Sequence, residues 1–179
     1  QPAGIVLRND VNARSREGLA RERTRLAWGD APPLVAIREN GLRFTVDVWT
    51  GQKTGFFLDQ RDKRQALRKY AAGARVLNTF SYTGGFGIAA ASAGASHVTS
   101  VDQSGPVIAH AREQFALNDL DPAAHEFLVG DAFAYLEKWA AGDDRFDIVI
   151  LDPPAFAKTL QARSQALRAY RRLNMLGMR

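Results

Sequence analysis

The segment Leu151-Asp152-Pro153-Pro154-Ala155-Phe156 closes an apolar run that begins at Phe146, bringing an acid, two prolines and an aromatic to the point where a buried strand leaves the core. Proline fixes φ and removes an N–H donor, so the Asp152 carboxylate and the neighbouring carbonyls are held outward as acceptors. A rigid polar edge with an aromatic beside it suits a planar, hydrogen-bonding substrate such as a nucleobase. The plainer alternative is an Asp-Pro-Pro connector that only ends the strand.

A second constellation follows the strand Val76-Leu77-Asn78-Thr79-Phe80. The turn Ser81-Tyr82-Thr83-Gly84-Gly85-Phe86-Gly87 leads into the small-residue helix Ile88-Ala89-Ala90-Ala91. Glycines let the backbone pass close to a ligand, and the helix start offers N–H groups and a positive dipole end to an anionic group. The spacing is not G-x-G-x-x-G, which disfavours a dinucleotide without removing it. The next strand ends in Val101-Asp102, where a carboxylate can accept both hydroxyls of a ribose. A third ends in Gly130-Asp131-Ala132, where an acid could take an adenine amino group, although Asp there is also a common helix cap. With Asp152 on the fourth, all these strand ends fall on the carboxyl edge of a parallel sheet, where open α/β sheets hold their ligands. The segment Gly51 to Arg61 carries Phe56-Phe57 before Asp59-Gln60-Arg61. It reads as a lid, or as a linker in which Asp59 caps a helix.

Strands alternating with helices must position these residues. From Gln60 onward strands are expected at Arg75–Phe80, His97–Asp102, Glu126–Gly130 and Phe146–Leu151. Helices are expected at Gln60–Ala72, Gly85–Ala93, Ser104–Asn118 and Ala132–Ala141. This is the order of an α/β, Rossmann-like, doubly wound parallel sheet, incomplete at four strands. A last helical run, Thr159 to Met178 with Leu160, Leu167, Tyr170, Leu173 and Leu176, ends in an ambiguous cap, so the chain is expected to be a C-terminally truncated fragment.

The first fifty residues differ. Asn40-Gly41 between two alternating runs predicts a hairpin with Phe44, Val46 and Val48 on one face and Arg43, Thr45 and Asp47 on the other. A small β-rich subdomain is therefore placed at 1–50 and the nucleotide-binding domain at 51–179.

Composition narrows the chemistry. The 179 residues are 46% hydrophobic, enough for one main domain with a small appendage. No run approaches the ~18 apolar residues of a membrane helix and no signal peptide opens the chain, so a cytoplasmic address and no membrane partner are expected. Cysteine is absent, which excludes disulfides, thiolate metal sites and a cysteine nucleophile within these residues. His97, His110 and His125 lack metal-ligand spacing and read as surface or boundary residues, so no metal is expected. The net charge of +5 favours polyanionic partners. Arginines crowd both ends, at 8, 14, 16, 21, 23 and 25 and again at 163, 168, 171, 172 and 179, where the alternative is a solvated helix face.

With these residues assembled, the chain resembles the class I S-adenosylmethionine-dependent methyltransferases, specifically the ribosomal RNA cytosine-C5 enzymes that carry an N-terminal PUA domain. The likeness covers nearly the whole chain and is sharpest in Lys53 to Arg61, Phe80 to Phe86 and Leu151 to Phe156. It implies S-adenosyl-L-methionine as cofactor and structured ribosomal RNA, of the large subunit, as substrate. Phe80, Ser81, Tyr82, Thr83 and Gly84 would hold the methionine end, and Asp102, with Gln103 and Ser104, the ribose. Asp131 and Ala132 would border the adenine, and Phe57, Asp59 and Arg61 would grip the cofactor. Asp152, Pro153 and Pro154 would face the target base, with Asp152 also near the cofactor, and Lys158 and Arg163 would meet RNA. The resemblance leaves room for a homodimer. Two departures stand out: no PUA module precedes Gln1, and the family's cysteine nucleophile is missing. The chain as it stands is therefore expected to be inactive in C5 chemistry, which begins with thiolate addition at C6. Rival readings are an exocyclic-amine methyltransferase, a nicotinamide-dependent oxidoreductase and a non-catalytic RNA- or cofactor-binding module.

Overall fold

In the computed structural model, which describes residues 1–157, 159 and 161–179, the hairpin signal at Asn40-Gly41 is realised as a two-residue turn. Both residues take positive φ, 49° and 84°, the turn whose twist matches its flanking strands. Strands β3 (Val35–Glu39) and β4 (Leu42–Val46) pair antiparallel from Glu39↔Leu42 to Val35↔Val46. Phe44 and Val46 are buried, and the Phe44 ring lies 4.9 Å from that of Phe56. Val48, expected on the same face, lies beyond the strand. The Asp47 carboxylate accepts the N–H groups of Trp49 and Thr50, both at 2.8 Å, and turns the chain there.

The arginine-rich opening corrects a sequence expectation. Only Asn12–Arg16 (α1) is helical, between antiparallel strands β1 (Gly4–Leu7) and β2 (Arg25–Gly29). Several of its cations are structural: the Arg8 guanidinium donates to the carbonyls of Gly51 at 2.9 Å and Lys53 at 3.1 Å, and Arg14 donates to Ala20 O at 2.8 Å. Compact units divide at Arg61/Asp62, close to Gln60 where the alternating pattern begins in the sequence, whereas the domain boundary was expected at 50/51.

The second unit is a parallel sheet of β5 (Arg75–Thr79), β6 (His97–Asp102), β7 (Glu126–Val129) and β8 (Ile148–Leu151), in the order β7-β6-β5-β8. Helices α2 (Arg61–Leu67), α3 (Gly85–Ser92), α4 (Gly105–Leu117), α5 (Ala132–Ala141) and α6 (Arg163–Gly177) complete the alternation. Because strand side chains alternate, Val76 and Val98 face one way and Leu77 and Val101 the other. Leu77 and Val101 form a core with Leu136 of α5 and Leu173 of α6, while Val98 and Ser100 lie against α3 and α4 at Gly87 and Phe115. With helices on both faces, Val76, Leu77, Val98 and Val101 are all buried whichever way they point.

Three expected boundaries move by more than one residue. The first helix stops at Leu67 rather than Ala72, and the chain turns back through Gly73, which donates to Gly94 O at 2.8 Å. The strand expected from Phe146 begins at Ile148, since Asp147 still serves as the connection to β5 through its backbone and its carboxylate, both bonded to Arg75. The last helix begins at Arg163 rather than Thr159; Leu160, part of its expected spacing, lies outside the described residues.

Candidate functional site

From β5 the sheet grows through β6 to β7 on one side, and β8 joins on the other. The reversal of direction between β5 and β8 is a topological switch point, the place where open α/β sheets leave a crevice at their carboxyl ends. Thr79 pairs with Leu151, so Phe80 and Asp152 leave adjacent strands side by side. The Thr79 hydroxyl donates to Ile150 O at 2.7 Å and ties the two ends together.

The turn after β5 is strained. Phe80, Tyr82 and Gly84 have φ of 54°, 47° and 82°, and for the two non-glycine residues this costs of order 1 kcal/mol each. Tertiary hydrogen bonds hold it: Ser81 N–H donates to Val101 O at 2.9 Å, and Tyr82 N–H to Asp102 Oδ2 at 3.0 Å. Gly84 is required twice over, by its φ and because a Cβ there would lie 3.1 Å from the Ala111 Cβ. Ser81 and Thr83 are buried in this turn, and α3 begins at Gly85 with its N-terminus on the carboxyl edge of the sheet.

Asp102 is half-buried, and its second oxygen accepts the Ser104 N–H at 3.1 Å. Each carboxylate oxygen thus accepts one backbone N–H and keeps capacity for another donor, such as a ribose hydroxyl. The Asp131 carboxylate caps α5 by accepting Ala134 N–H at 3.0 Å, so the capping alternative named from sequence is realised. Its other oxygen accepts Gln103 Nε2 at 2.9 Å, which links the ends of β6 and β7 into one rim. Ala132 is buried behind that rim.

Asp152 and Pro154 are exposed and Pro153 is half-buried. Phe156 departs from the expected flat-ring contact. Its ring packs 4.6 Å from Tyr170 and 5.9 Å from Phe133, and its N–H donates to the Tyr170 hydroxyl at 3.4 Å. The aromatic anchors the corner from behind. Sequence reading passed over Phe133 and Tyr170 as site elements; the available signal was an aromatic directly after Asp131-Ala132 and another on the apolar spacing of α6.

Phe57, Asp59 and Arg61 belong to the first unit. Phe57 precedes a 3-10 turn, Leu58–Gln60, and its ring lies 4.9 Å from Lys53 Nζ. Asp59 sits inside that turn rather than at its cap, which removes the capping alternative for it. Arg163, the first residue of α6, is exposed, while Lys158 lies outside the described residues. A hollow of about 140 Å³ lined by Leu77, Leu136, Trp139, Phe146 and Leu176 contains none of the strand-end residues and belongs to the packing of α5 and α6.

Comparison with known proteins gives a consistent picture. Residues 17–178 match the S-adenosylmethionine-dependent methyltransferase family. "Ribosomal RNA large subunit methyltransferase I" of Aeromonas salmonicida is 46% identical over 173 residues, 96% of this chain and 43% of that protein. The protein of the same name from Erwinia tasmaniensis is 45% identical, over 97% and 44%. Among solved structures, one described as a methyltransferase in complex with SAH is 41% identical with a TM-score of 0.70, covering 76% of this chain and 36% of that one. A SAM-dependent methyltransferase from Agrobacterium tumefaciens is 28% identical with a TM-score of 0.69, covering 75% and 44%. The chain spans less than half the length of the curated relatives it matches.

Proposed function

Since the chain belongs to the S-adenosylmethionine-dependent methyltransferase family, and its parallel sheet is the class I methyltransferase fold, we propose that it binds S-adenosylmethionine at the carboxyl ends of β5, β6 and β7 and serves in methylating ribosomal RNA of the large subunit, at cytosine C5. The observation that carries this reading is the emergence of Phe80 and Asp152 side by side at the switch point, cofactor turn beside polar corner. The names of the curated relatives support the RNA class, and the net charge of +5 suits it.

The residues present fit the cofactor. The half-buried Asp102 carboxylate has acceptor capacity for ribose hydroxyls, and the Gln103–Asp131 rim offers a polar edge to an adenine. The left-handed turn at Phe80 to Gly84 brings backbone groups, without bulky side chains at Gly84 and Gly85, to the methionine end. When bound, the cofactor supplies an already activated methyl group. The protein's work is then orientation and exclusion of water: the turn fixes the donor and Asp152 fixes the acceptor by hydrogen-bonding the amino edge of the base.

Cytosine C5 requires a thiolate at C6 to become nucleophilic, and these residues contain no cysteine. The C5 reading therefore needs a cysteine supplied from elsewhere in the enzyme. A second reading, methylation of an exocyclic amine gripped by Asp152-Pro153-Pro154, needs no cysteine. Arg163, with Lys158, is proposed to meet RNA phosphate.

Calorimetric titration with S-adenosylhomocysteine beside NADH tests the cofactor. Saturable binding of the former alone is expected, and NADH binding in its place would overturn the proposal. Methyl incorporation into large-subunit RNA, followed by identification of the modified base, separates C5 from amine methylation.

A further inference from the structure

The rings of Phe80, Phe133, Phe156 and Tyr170 form a continuous series with successive centroid separations of 6.5, 5.9 and 4.6 Å. The members come from different places. Phe80 opens the turn after β5, Phe133 follows Asp131-Ala132 at the start of α5, Phe156 ends the Asp152-Pro153-Pro154 corner, and Tyr170 lies on α6. Phe133 is the middle member: its ring contacts both Phe80 and Phe156, and its own backbone belongs to the Asp131 rim. One side chain therefore joins the loops leaving three strands. The Arg172 guanidinium lies 5.3 Å from the Phe133 ring and is ion-paired with Glu137 of α5, which confines the ring between the helices.

We propose that Phe133 is a positioning residue that sets the spacing between the cofactor turn and the Asp152 corner, so that occupation of the turn is felt at the corner. This rests on the proposed cofactor site. Phe80 occupies a left-handed conformation that only its surroundings maintain, and its ring is held at Phe133. The Phe156 end is held by the same ring and by the Tyr170 hydroxyl. Aromatic contacts of this kind are directional as well as apolar, because ring edges and faces carry opposite charge. An aliphatic side chain at 133 fills volume without dictating either orientation. A residue that merely filled the core would lower stability evenly and leave the two loops no more mobile than their helices.

The test compares Phe133→Leu with Trp139→Leu in the 179-residue chain. Trp139 lies on the same helix and packs on Tyr135 and Phe146 rather than on the series. Two readouts are taken: hydrogen exchange at the Tyr82 and Phe156 amides, and S-adenosylhomocysteine affinity. Phe133→Leu is expected to speed exchange at both amides beyond the rest of α5 and α6, and to weaken S-adenosylhomocysteine about tenfold through the two lost ring contacts. Trp139→Leu is expected to lower the melting temperature without either selective effect. Uniform acceleration in Phe133→Leu, matching Trp139→Leu, overturns the proposal. If the unsubstituted chain does not bind S-adenosylhomocysteine, it is the cofactor reading that falls, and the exchange comparison, which needs no ligand, still decides the role of Phe133.

Discussion

The Asp102 carboxylate accepts the backbone N–H of Tyr82 at 3.0 Å, joining the end of β6 to a residue held at φ 47° in the turn after β5. An acid that sequence suggests as a ribose ligand is thus also the brace of the neighbouring loop. One side chain has room for both, because a carboxylate has about four acceptor positions and the two backbone donors occupy only two.

Substitution separates these roles. Asp102→Asn keeps one carbonyl acceptor, whereas Asp102→Ala keeps none and leaves the Tyr82 and Ser104 N–H groups without this partner. We expect S-adenosylhomocysteine binding to weaken about tenfold or more in Asp102→Ala, since hydrogen bonds to a charged group are worth about 1.5–3 kcal/mol, and less in Asp102→Asn. Calorimetry on both variants decides; equal affinity in all three proteins would remove Asp102 from the site.

Gly84→Ala is expected to destabilise the fold by about 1–3 kcal/mol, the cost of a side chain in the left-handed region, with the close approach of Ala111 adding to it. Gly105, with open space at its Cβ position, serves as the comparison, and Gly105→Ala should change the urea midpoint far less.

Asp131→Ala removes the α5 cap and the Gln103 partner together, with an expected loss of about 1 kcal/mol. Asp131→Ser restores a capping oxygen without the second carboxylate arm. Stability is expected to recover in the serine variant while S-adenosylhomocysteine affinity stays reduced. Recovery of both would confine Asp131 to its cap.

Burial lowers the pKa of His125, helped by neighbouring His97 and opposed by Asp121. The neutral ring accepts the Val98 N–H at 3.2 Å and packs edge-on 5.0 Å from Phe115. A neutral imidazole favoured by the folded state means that the unfolded chain binds the proton first as pH falls. Stability is therefore complete above the ordinary value of about 6.5 and is lost as pH drops through the lowered folded value. Melting temperatures across that interval should fall in the native chain and fall less in His125→Gln.

Much of the second unit was legible because short segments containing Val, Leu, Ile, Phe and Thr alternate with helices that are amphipathic or small. His97–Asp102 and Ala132–Ala141 keep the boundaries expected from periodicity. The hairpin at Asn40-Gly41 was legible for a local reason, since two successive positive φ values demand residues of that kind. The pairing of β1 with β2 was not. All of β2 is exposed, so no burial pattern marks it, and the arginines that suggested a solvated helix include Arg8, which instead holds the Gly51 and Lys53 carbonyls.

By itself the sequence determined which residues stand at strand ends: the acids 102, 131 and 152 each stand at or just past the end of an expected strand, and a parallel sheet puts such positions on one edge. Only the tertiary structure decided how those ends act on one another. The order β7-β6-β5-β8 sets Phe80 beside Asp152, and it turns Asp102 into a brace for Tyr82. It also gathers Phe80, Phe133, Phe156 and Tyr170 into one aromatic series. Periodicity reports which way a side chain faces within its own element. It carries nothing about contacts between residues far apart in the chain, and those contacts are what hold a left-handed turn and a proline corner in place.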